Sequence, residues 1–233
     1  MENLSIIIPA YNEEKRIYRT LKDYLHYFSK NWNRFEILVV TDGCTDNTVK
    51  VVKSFKSRHV KNLNYEQKLG KGLALIRGFE NANGGIIGFV DADESVMPED
   101  FHKMALQIGE YACVVASRRT KESKILAKQP IRRRVLGRSY NIMVNMLFGL
   151  RIKDTQCGAK IFTKEAIKSI LPEISTKGYS FDVEILWRLR RGKFKINEYP
   201  VTWMHMKEGQ FNARKHAYKM FIEVMKLRFM QKF

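Results

Sequence analysis

Ile86-Ile87-Gly88-Phe89-Val90-Asp91-Ala92-Asp93-Glu94-Ser95 is an apolar run of strand length that stops abruptly on acids. Side chains alternate faces along an extended segment, so Asp91 and Asp93 leave the strand end on the same side. Two carboxylates in one small volume repel each other. A hard divalent cation with oxygen ligands, Mg2+ or Mn2+, is the simplest positive group to lie between or beyond them. The competing reading is a solvated acidic turn after a buried strand, because Asp-x-Asp alone is short, and the surrounding chain has to decide.

Outward from this run the chain alternates between two periods. Leu4 to Ile8 reads as a strand, Pro9-Ala10-Tyr11-Asn12 as a loop, and Ile17, Leu21, Tyr24, Leu25, Phe28 and Trp32 recur at helical spacing. Phe35 to Val40 is a second strand; Thr41-Asp42-Gly43-Cys44-Thr45-Asp46 turns into a helix carrying Val49, Val52 and Phe55, with Thr45 or Asp46 as its cap. Leu63 to Glu66 is a weaker strand, and Gly70-Lys71-Gly72 opens a helix expected to turn Leu73, Ile76 and Phe79 inward. A helix from about Pro98 and a strand over Ala112 to Ala116 follow. Such alternation predicts an α/β, Rossmann-like open sheet, mostly parallel, with helices on both faces. Ligands of these sheets bind at the carboxyl ends of the strands. The segments around Pro9 to Glu13, Asp42 to Asp46 and Asp91 to Ser95 should therefore line one crevice.

The chain has 233 residues, enough for one domain with a real core, and 45% are hydrophobic. Met1-Glu2-Asn3 lacks a basic start and Ile6-Ile7-Ile8 is short, so no signal peptide is expected, nor does any stretch approach a membrane span. Cys44, Cys113 and Cys157 are odd in number and far apart, which argues for a reducing compartment and a cytoplasmic location. Forty-two Lys and Arg against 24 Asp and Glu leave a formal net charge of +18, so an anionic partner is expected: a membrane surface, nucleic acid or a phosphorylated small molecule. The excess is clustered. Arg118 to Arg138 holds nine basic residues and one acid, Glu122, and Phe211 to Phe233 holds six against Glu223.

Taken in order, Pro9-Ala10-Tyr11-Asn12-Glu13, Thr41-Asp42-Gly43-Cys44-Thr45-Asp46 and Asp91-Ala92-Asp93 resemble the nucleotide-sugar half of the family 2 glycosyltransferases of GT-A fold. Ala116-Ser117-Arg118, Arg133-Arg134 with Arg138 and Asn141, Asp154-Thr155-Gln156-Cys157-Gly158 and Phe181-Asp182-Val183-Glu184 are similar to the polyprenyl-phosphate sugar synthases, nearest the dolichyl-phosphate glucosyltransferase branch. The resemblance implies that Pro9, Ala10, Tyr11, Glu13, Asp42, Lys71, Asp91 and Ala92 hold the nucleotide, with Asp42 reading a base edge. It implies that Asp93, with Asp91 and Ser95, ligates Mg2+ or Mn2+. Arg118 would approach the reaction centre or the acceptor phosphate, Arg133, Arg134 and Arg138 would neutralise phosphate charge, and Asp154 and Gln156 would lie near the sugar. Asp182 joins the catalytic set, and His205 and Lys207 would bring a basic group to the diphosphate over a loop ending near Gly209. Thr41, Ser95, Gly137 and Ala159 depart from the family's commoner residues.

The implied reaction is transfer of a hexose, glucose before mannose, from UDP-glucose or GDP-mannose to a polyprenyl phosphate, with inversion. A glycan or another lipid acceptor is the alternative. Residues 1–210 would form the transferase domain, nucleotide-binding over 1–117 and acceptor-binding over 118–210, and 211–233 a basic amphipathic helix. In that helix Tyr218, Phe221, Ile222, Met225 and Phe229 fall on one stripe, with Lys215, Lys219 and Lys226 opposite. Leu136, Tyr140, Met143, Val144, Leu147 and Phe148 give Val135 to Leu150 a broad apolar surface as well. Both either lie in an anionic headgroup layer, making the protein peripheral at the cytoplasmic face, or pack on the sheet. Further on, Phe181 to Arg191 reads as a helix turning Ile185, Leu186 and Leu189 inward, and Ile196 to Trp203 as a strand. Two other classes fit less well. A pyrophosphorylase would want a Gly-rich basic loop where Pro9 to Glu13 stands, and a nucleic-acid binder would be repelled by the acids of the crevice and shows no recognition motif, so no nucleic acid is expected.

Overall fold

The computed structural model describes residues 2–204 and 213–230. Its first half alternates as the sequence predicts: β1 (Leu4–Ala10), α1 (Ile17–Asn31), β2 (Phe35–Asp42), α2 (Thr48–Ser54), β3 (Val60–Tyr65), α3 (Lys71–Asn81), β4 (Ile86–Val90), α4 (Pro98–Ala105) and β5 (Cys113–Ser117). Then come β6 (Lys124–Ala127), α5 (Ile131–Phe148), β7 (Ala159–Thr163), α6 (Lys164–Ile170), α7 (Phe181–Arg191), β8 (Ile196–Pro200), β9 (Thr202–Met204) and α8 (Ala213–Met230). Seven strands form one sheet in the order β3-β2-β1-β4-β7-β5-β8, and β6 pairs with β9 in a second, two-stranded sheet.

The sheet is parallel except at β7, which runs antiparallel to both β4 and β5. Buried strands over Leu4–Ala10, Phe35–Asp42 and Ile86–Val90 are Ile- and Val-rich because helices cover both faces, giving two apolar cores, one on each side. Pro9 belongs to β1 and pairs with Val40 of β2. The pairing of β1 with β4 ends at Ile7, so the missing N–H of Pro9 falls beyond it.

Several sequence expectations shift. Ala159–Thr163 was no strand in the sequence reading, yet it is the buried β7; Lys160 within it disguises an apolar run. The expected strand Ile196 to Trp203 is two, β8 in the large sheet and β9 in the small one. In α3 the inward face is Ala74, Leu75, Gly78 and Phe79, and Leu73 and Ile76 lie half-buried beside it. Small residues there let the helix approach β1, where Gly78 faces Ile7. The N-cap of α2 is Asn47, not Thr45 or Asp46 as the sequence suggests, and it makes no side-chain cap bond; Asp46, one residue before it, accepts from the backbone N–H of Thr48 at 2.9 Å. Helix α5 begins four residues earlier than expected, so Arg132, Arg133 and Arg134 lie in its first turn, not before it.

Helices α5 and α8 divide their apolar residues between two faces. Val144 and Phe148 of α5 are buried, with Tyr140, Met143 and Leu147 packed against the same core, and Val224 and Leu227 of α8 join them. Outward stand Ile131, Val135, Leu136, Ile142 and Met146 of α5, the last 75% exposed. The stripe read in the sequence of α8 faces the wrong way for a core: Tyr218, Phe221 and Phe229 are exposed, Ile222 and Met225 half-buried, and the buried positions are Met220, Val224 and Leu227. No helix among the described residues is long and apolar enough to cross a membrane.

Candidate active site

At the carboxyl end of β4 the chain turns through Asp91, Ala92 and Asp93, and both carboxylates are partly accessible. Asp91 is fixed from three sides. Its backbone N–H donates to Gly158 O at 3.0 Å, Lys71 Nζ donates to Oδ1 at 2.7 Å, and a Cβ at Gly158 would stand 1.9 Å from Oδ2. The glycine of Asp154-Thr155-Gln156-Cys157-Gly158 is therefore required by the close approach of Asp91. Lys71 belongs to the first turn of α3, and although burial opposes its charge, Asp91 and Asp182 hold its pKa above the usual range.

Asp93 takes the backbone N–H of Ser95 on Oδ1 at 3.0 Å and faces Arg16 NH1 at 3.9 Å. Burial and the negative charge of Asp91 hold its carboxyl above the ordinary range. Glu13, at the end of the Pro9 to Glu13 segment, accepts from Arg16 Nε at 2.7 Å. Burial raises its pKa too, with Asp93 and Asp91 adding to the shift. Three acids thus meet around Arg16 and Lys71. Lys71 is among the residues the resemblance implies for the nucleotide, whereas Arg16 is not in the sequence reading; its spacing of three from Glu13 at a helix start was the available signal.

Asp42 is 3% exposed, and its two carboxylate oxygens accept the backbone N–H groups of Leu69 and Gly70. Here it ties the segment before α3 to the end of β2. Tyr11 lies half-buried under Lys68, whose Nζ is 3.3 Å from the ring centroid. Ala10 and Ala92 are buried, and their carbonyls accept from Cys44 Sγ and Thr20 Oγ1. Tyr179, also missed in the sequence, stands where Lys71, Asp91, Glu13 and Asp42 all act on its hydroxyl. Lys177 O next to it accepts from Gly72 N at 3.0 Å, joining the α6–α7 connection to the start of α3.

Across the crevice lies the basic side. Arg118, just past β5, grips Asp154 through Nε at 2.7 Å, NH2 at 2.8 Å and its backbone N–H at 3.0 Å. Asp154 is fully buried; burial would lift its pKa, but Arg118 outweighs that and holds the carboxyl below its usual range. Asp154 thus orients Arg118, and Trp203 of β9 lies 5.3 Å from the guanidinium. Arg133, half-buried on the first turn of α5, has its pKa lowered by burial and by Arg118, with Asp93 opposing. Arg119, unassigned in the sequence reading, feels Asp154, Arg118 and Arg138 and donates to Lys153 O at 2.9 Å. Arg118, Arg119 and Arg133 are thereby gathered with Arg138 close to Arg119, and Arg134 lies exposed one turn before the equally exposed Arg138.

Asp182 is turned inward to Lys160 Nζ, which also donates to Cys157 O at 3.0 Å; Lys160 is fully buried and Asp182 4% exposed. This pair props the Asp154 to Gly158 segment from behind. Glu184 receives the backbone N–H groups of Ser175 and Thr176. Gln156 keeps a buried Nε2 without a hydrogen-bond partner. His205, Lys207 and Gly209 lie outside the described residues.

Among the described residues no three His, Cys, Asp or Glu side chains converge as a metal cage. The donor set is instead two carboxylates, one of which, Asp93, is held above its ordinary pKa by burial and by the charge of the other. That suits Mg2+ or Mn2+ held by one or two carboxylates, with the other positions left to diphosphate oxygens and water. Ser95 is 4% exposed and contributes through its backbone N–H to Asp93.

A wound, mostly parallel sheet that brings acids and a cluster of arginines to one crevice defines a glycosyltransferase of GT-A architecture. Comparison with known proteins supports this reading. Residues 5–171 match the model of Glycosyl transferase family 2, and the chain belongs to that family. It is 33% identical to a dolichyl-phosphate beta-glucosyltransferase of Trichomonas vaginalis, over 96% of this chain and 72% of that one. It is 30% identical to the Dictyostelium discoideum dolichyl-phosphate beta-glucosyltransferase, over 97% and 74%. By fold it resembles glucosyl-3-phosphoglycerate synthase of Mycobacterium tuberculosis, solved with Mn2+, UDP and glucosyl-3-phosphoglycerate, at a TM-score of 0.73 and 16% identity over 100% of this chain and 81% of that one. Mannosyl-3-phosphoglycerate synthase of Rubrobacter xylanophilus superposes with a TM-score of 0.75 at 17% identity, over 99% and 74%.

Proposed function

We propose that this protein transfers glucose from UDP-glucose to a polyprenyl (dolichyl) phosphate, inverting the anomeric centre, while docked on an anionic membrane at its cytoplasmic face. The observation that carries the reading is the crevice itself, with Asp91, Asp93 and Glu13 on one wall and Arg118, Arg119 and Arg133 on the other. The dolichyl-phosphate beta-glucosyltransferases named above are similar to this chain over nearly all of it.

Asp93, with Asp91, would hold Mg2+ or Mn2+ against the donor diphosphate. When bound, the cation supplies Lewis-acid stabilisation of the charge that grows on the departing nucleotide. Lys71 holds Asp91 in place, and Tyr11 and Glu13 line the nucleotide's side of the crevice. An acceptor phosphate is anionic at neutral pH, so it needs positioning more than deprotonation. Arg118, aimed by Asp154, and Arg133 are the groups suited to hold it in line with the anomeric carbon. Direct displacement in that geometry turns an α-linked donor into a β-linked product. The outward apolar residues Ile131, Val135 and Leu136 share α5 with Arg132 and Arg134, and Tyr218 and Phe229 share α8 with the exposed Lys219 and Lys226, which suits a headgroup layer. Residues 1–210 would serve as the transferase domain and α8 as its membrane-facing flank.

A donor panel of radiolabelled UDP-glucose, GDP-mannose and UDP-N-acetylglucosamine, with polyprenyl phosphate and either cation, tests this directly. Label should pass into organic solvent from UDP-glucose, and only with a divalent cation. Asp93→Ala should abolish it while leaving the fold intact by circular dichroism. Retained activity in that variant would move the cation elsewhere, and label passing only to water-soluble acceptors would overturn the lipid reading.

A further inference from the structure

We propose that Lys68 occupies the nucleobase's seat on Tyr11 in the ligand-free site and is exchanged for the base when a nucleoside diphosphate binds. The inference rests on the donor reading above and adds to it a residue that sets which ligands the seat accepts.

Lys68 Nζ lies 3.3 Å from the Tyr11 ring centroid, so the ammonium covers that face. A stacked base would need its atoms about 3.5–4.0 Å from the same ring, and the two cannot share the face. The backbone that delivers Lys68 is clamped. Gly43 has φ 62°, and a Cβ there would meet Lys68 N at 2.7 Å and Lys68 Cα at 2.9 Å. Next to it, Asp42 accepts from the N–H groups of Leu69 and Gly70, and Gly43 N donates to Tyr65 O at 2.8 Å. The close approach at Gly43 and the Asp42 carboxylate together fix where the Lys68 side chain starts. The four-carbon stem of an exposed lysine can swing without moving that clamp.

Exchange has a chemical consequence. The acids Glu13, Asp91 and Asp93 lie close together in the same crevice, and Lys71 is already committed to Asp91. Among the described residues no carboxylate pairs with Lys68 in an ion pair, so a displaced Lys68 is a cation available to the ligand's phosphates. A free nucleoside must evict the lysine and has no charge to offer it. A nucleoside diphosphate evicts it and then attracts it. Lys68 therefore discriminates in favour of phosphorylated ligands without being one of the carboxylates suited to the cation.

The test is displacement of a fluorescent UDP analogue by uridine and by UDP, with Mg2+, from the wild type, Lys68→Ala and Tyr11→Ala. Removing the lysine should tighten uridine by about two- to fivefold, the worth of an exposed cation–π contact, and weaken UDP, so the ratio of the two affinities falls. In the Tyr11→Ala background the further change Lys68→Ala should no longer tighten uridine. An unchanged ratio in Lys68→Ala overturns the proposal, as does a uridine effect that survives loss of the Tyr11 ring, or uridine that releases the probe from neither protein. Failure of the wild type to bind the UDP analogue with Mg2+ sinks the donor reading itself, a separate outcome.

Discussion

Asp91 and Asp93 were legible as a pair from strand alternation alone, yet the groups that fix Asp91 come from far away in the chain. Asp91 rests on Lys71 and against Gly158; Asp93 is left with Ser95 N–H and a distant Arg16. Gly158→Ala places a methyl group 1.9 Å from Asp91 Oδ2, so the carboxylate or the start of β7 must move. We expect activity to fall at least about tenfold, since misplacement on the 1 Å scale has that effect or more, and cation affinity to weaken, as read by the Mn2+ dependence of transfer. Asp182 is a second case. The resemblance implied a catalytic role, and the structure pairs it with a fully buried lysine. Asp182→Ala leaves Lys160 uncompensated and should cost about 3–5 kcal/mol of stability in a denaturant titration. A variant as stable as the wild type would show that Lys160 is not held by this pair. Arg119 and Tyr179 were beyond motif reading because their neighbours in the site, Arg138 for one and Lys71 for the other, are distant in sequence.

Elements were legible where one period dominated. The alternation through β1, α1, β2 and β4 is strong because those strands are buried on both faces. It was weaker in β7, where Lys160 interrupts the apolar run, and its antiparallel insertion between β4 and β5 has no local signal at all. Helix faces were harder still. In α8, Tyr218, Phe221 and Phe229 form as good an apolar stripe as Met220, Val224 and Leu227, and only packing beside α5 chooses the second for the core. This division is testable at the level of the helix. Ile131→Glu with Leu136→Glu, on the outward face of α5, should leave thermal stability nearly unchanged and reduce flotation with anionic liposomes. Val144→Ala, on the inward face, should cost about 1–3 kcal/mol in unfolding and leave flotation unchanged. Flotation of the double glutamate variant at the wild-type level would remove α5 from the docking surface.

Across the whole molecule, stability and charge are coupled at the acidic crevice. Glu94 is 4% exposed and near Asp23; burial, with the Asp23 carboxyl and against the pull of Arg19, pushes its pKa up to about 7. A folded-state pKa above the unfolded value near 4.5 means that the folded protein binds the extra proton between those limits. The stabilisation is therefore fully present below about 4.5 and is lost as pH rises through about 7, so this group favours the folded state more at pH 6 than at pH 8. Glu94→Gln should flatten that slope and raise stability at pH 8 by on the order of 1–3 kcal/mol. Urea titrations at the two pH values check it, and an unaltered slope would assign the pH dependence to other groups. By itself the sequence determined the α/β class, the crevice at the strand ends, the acidic pair and the basic segments, because these follow from periods and short motifs that act over a few residues. Only the tertiary structure decided that Asp154 serves Arg118, that Lys160 answers Asp182, that Lys68 covers Tyr11 and which helix stripe meets water. Those partners come from strand order and from the contest between faces for one core, and neither is a property of any local stretch of chain.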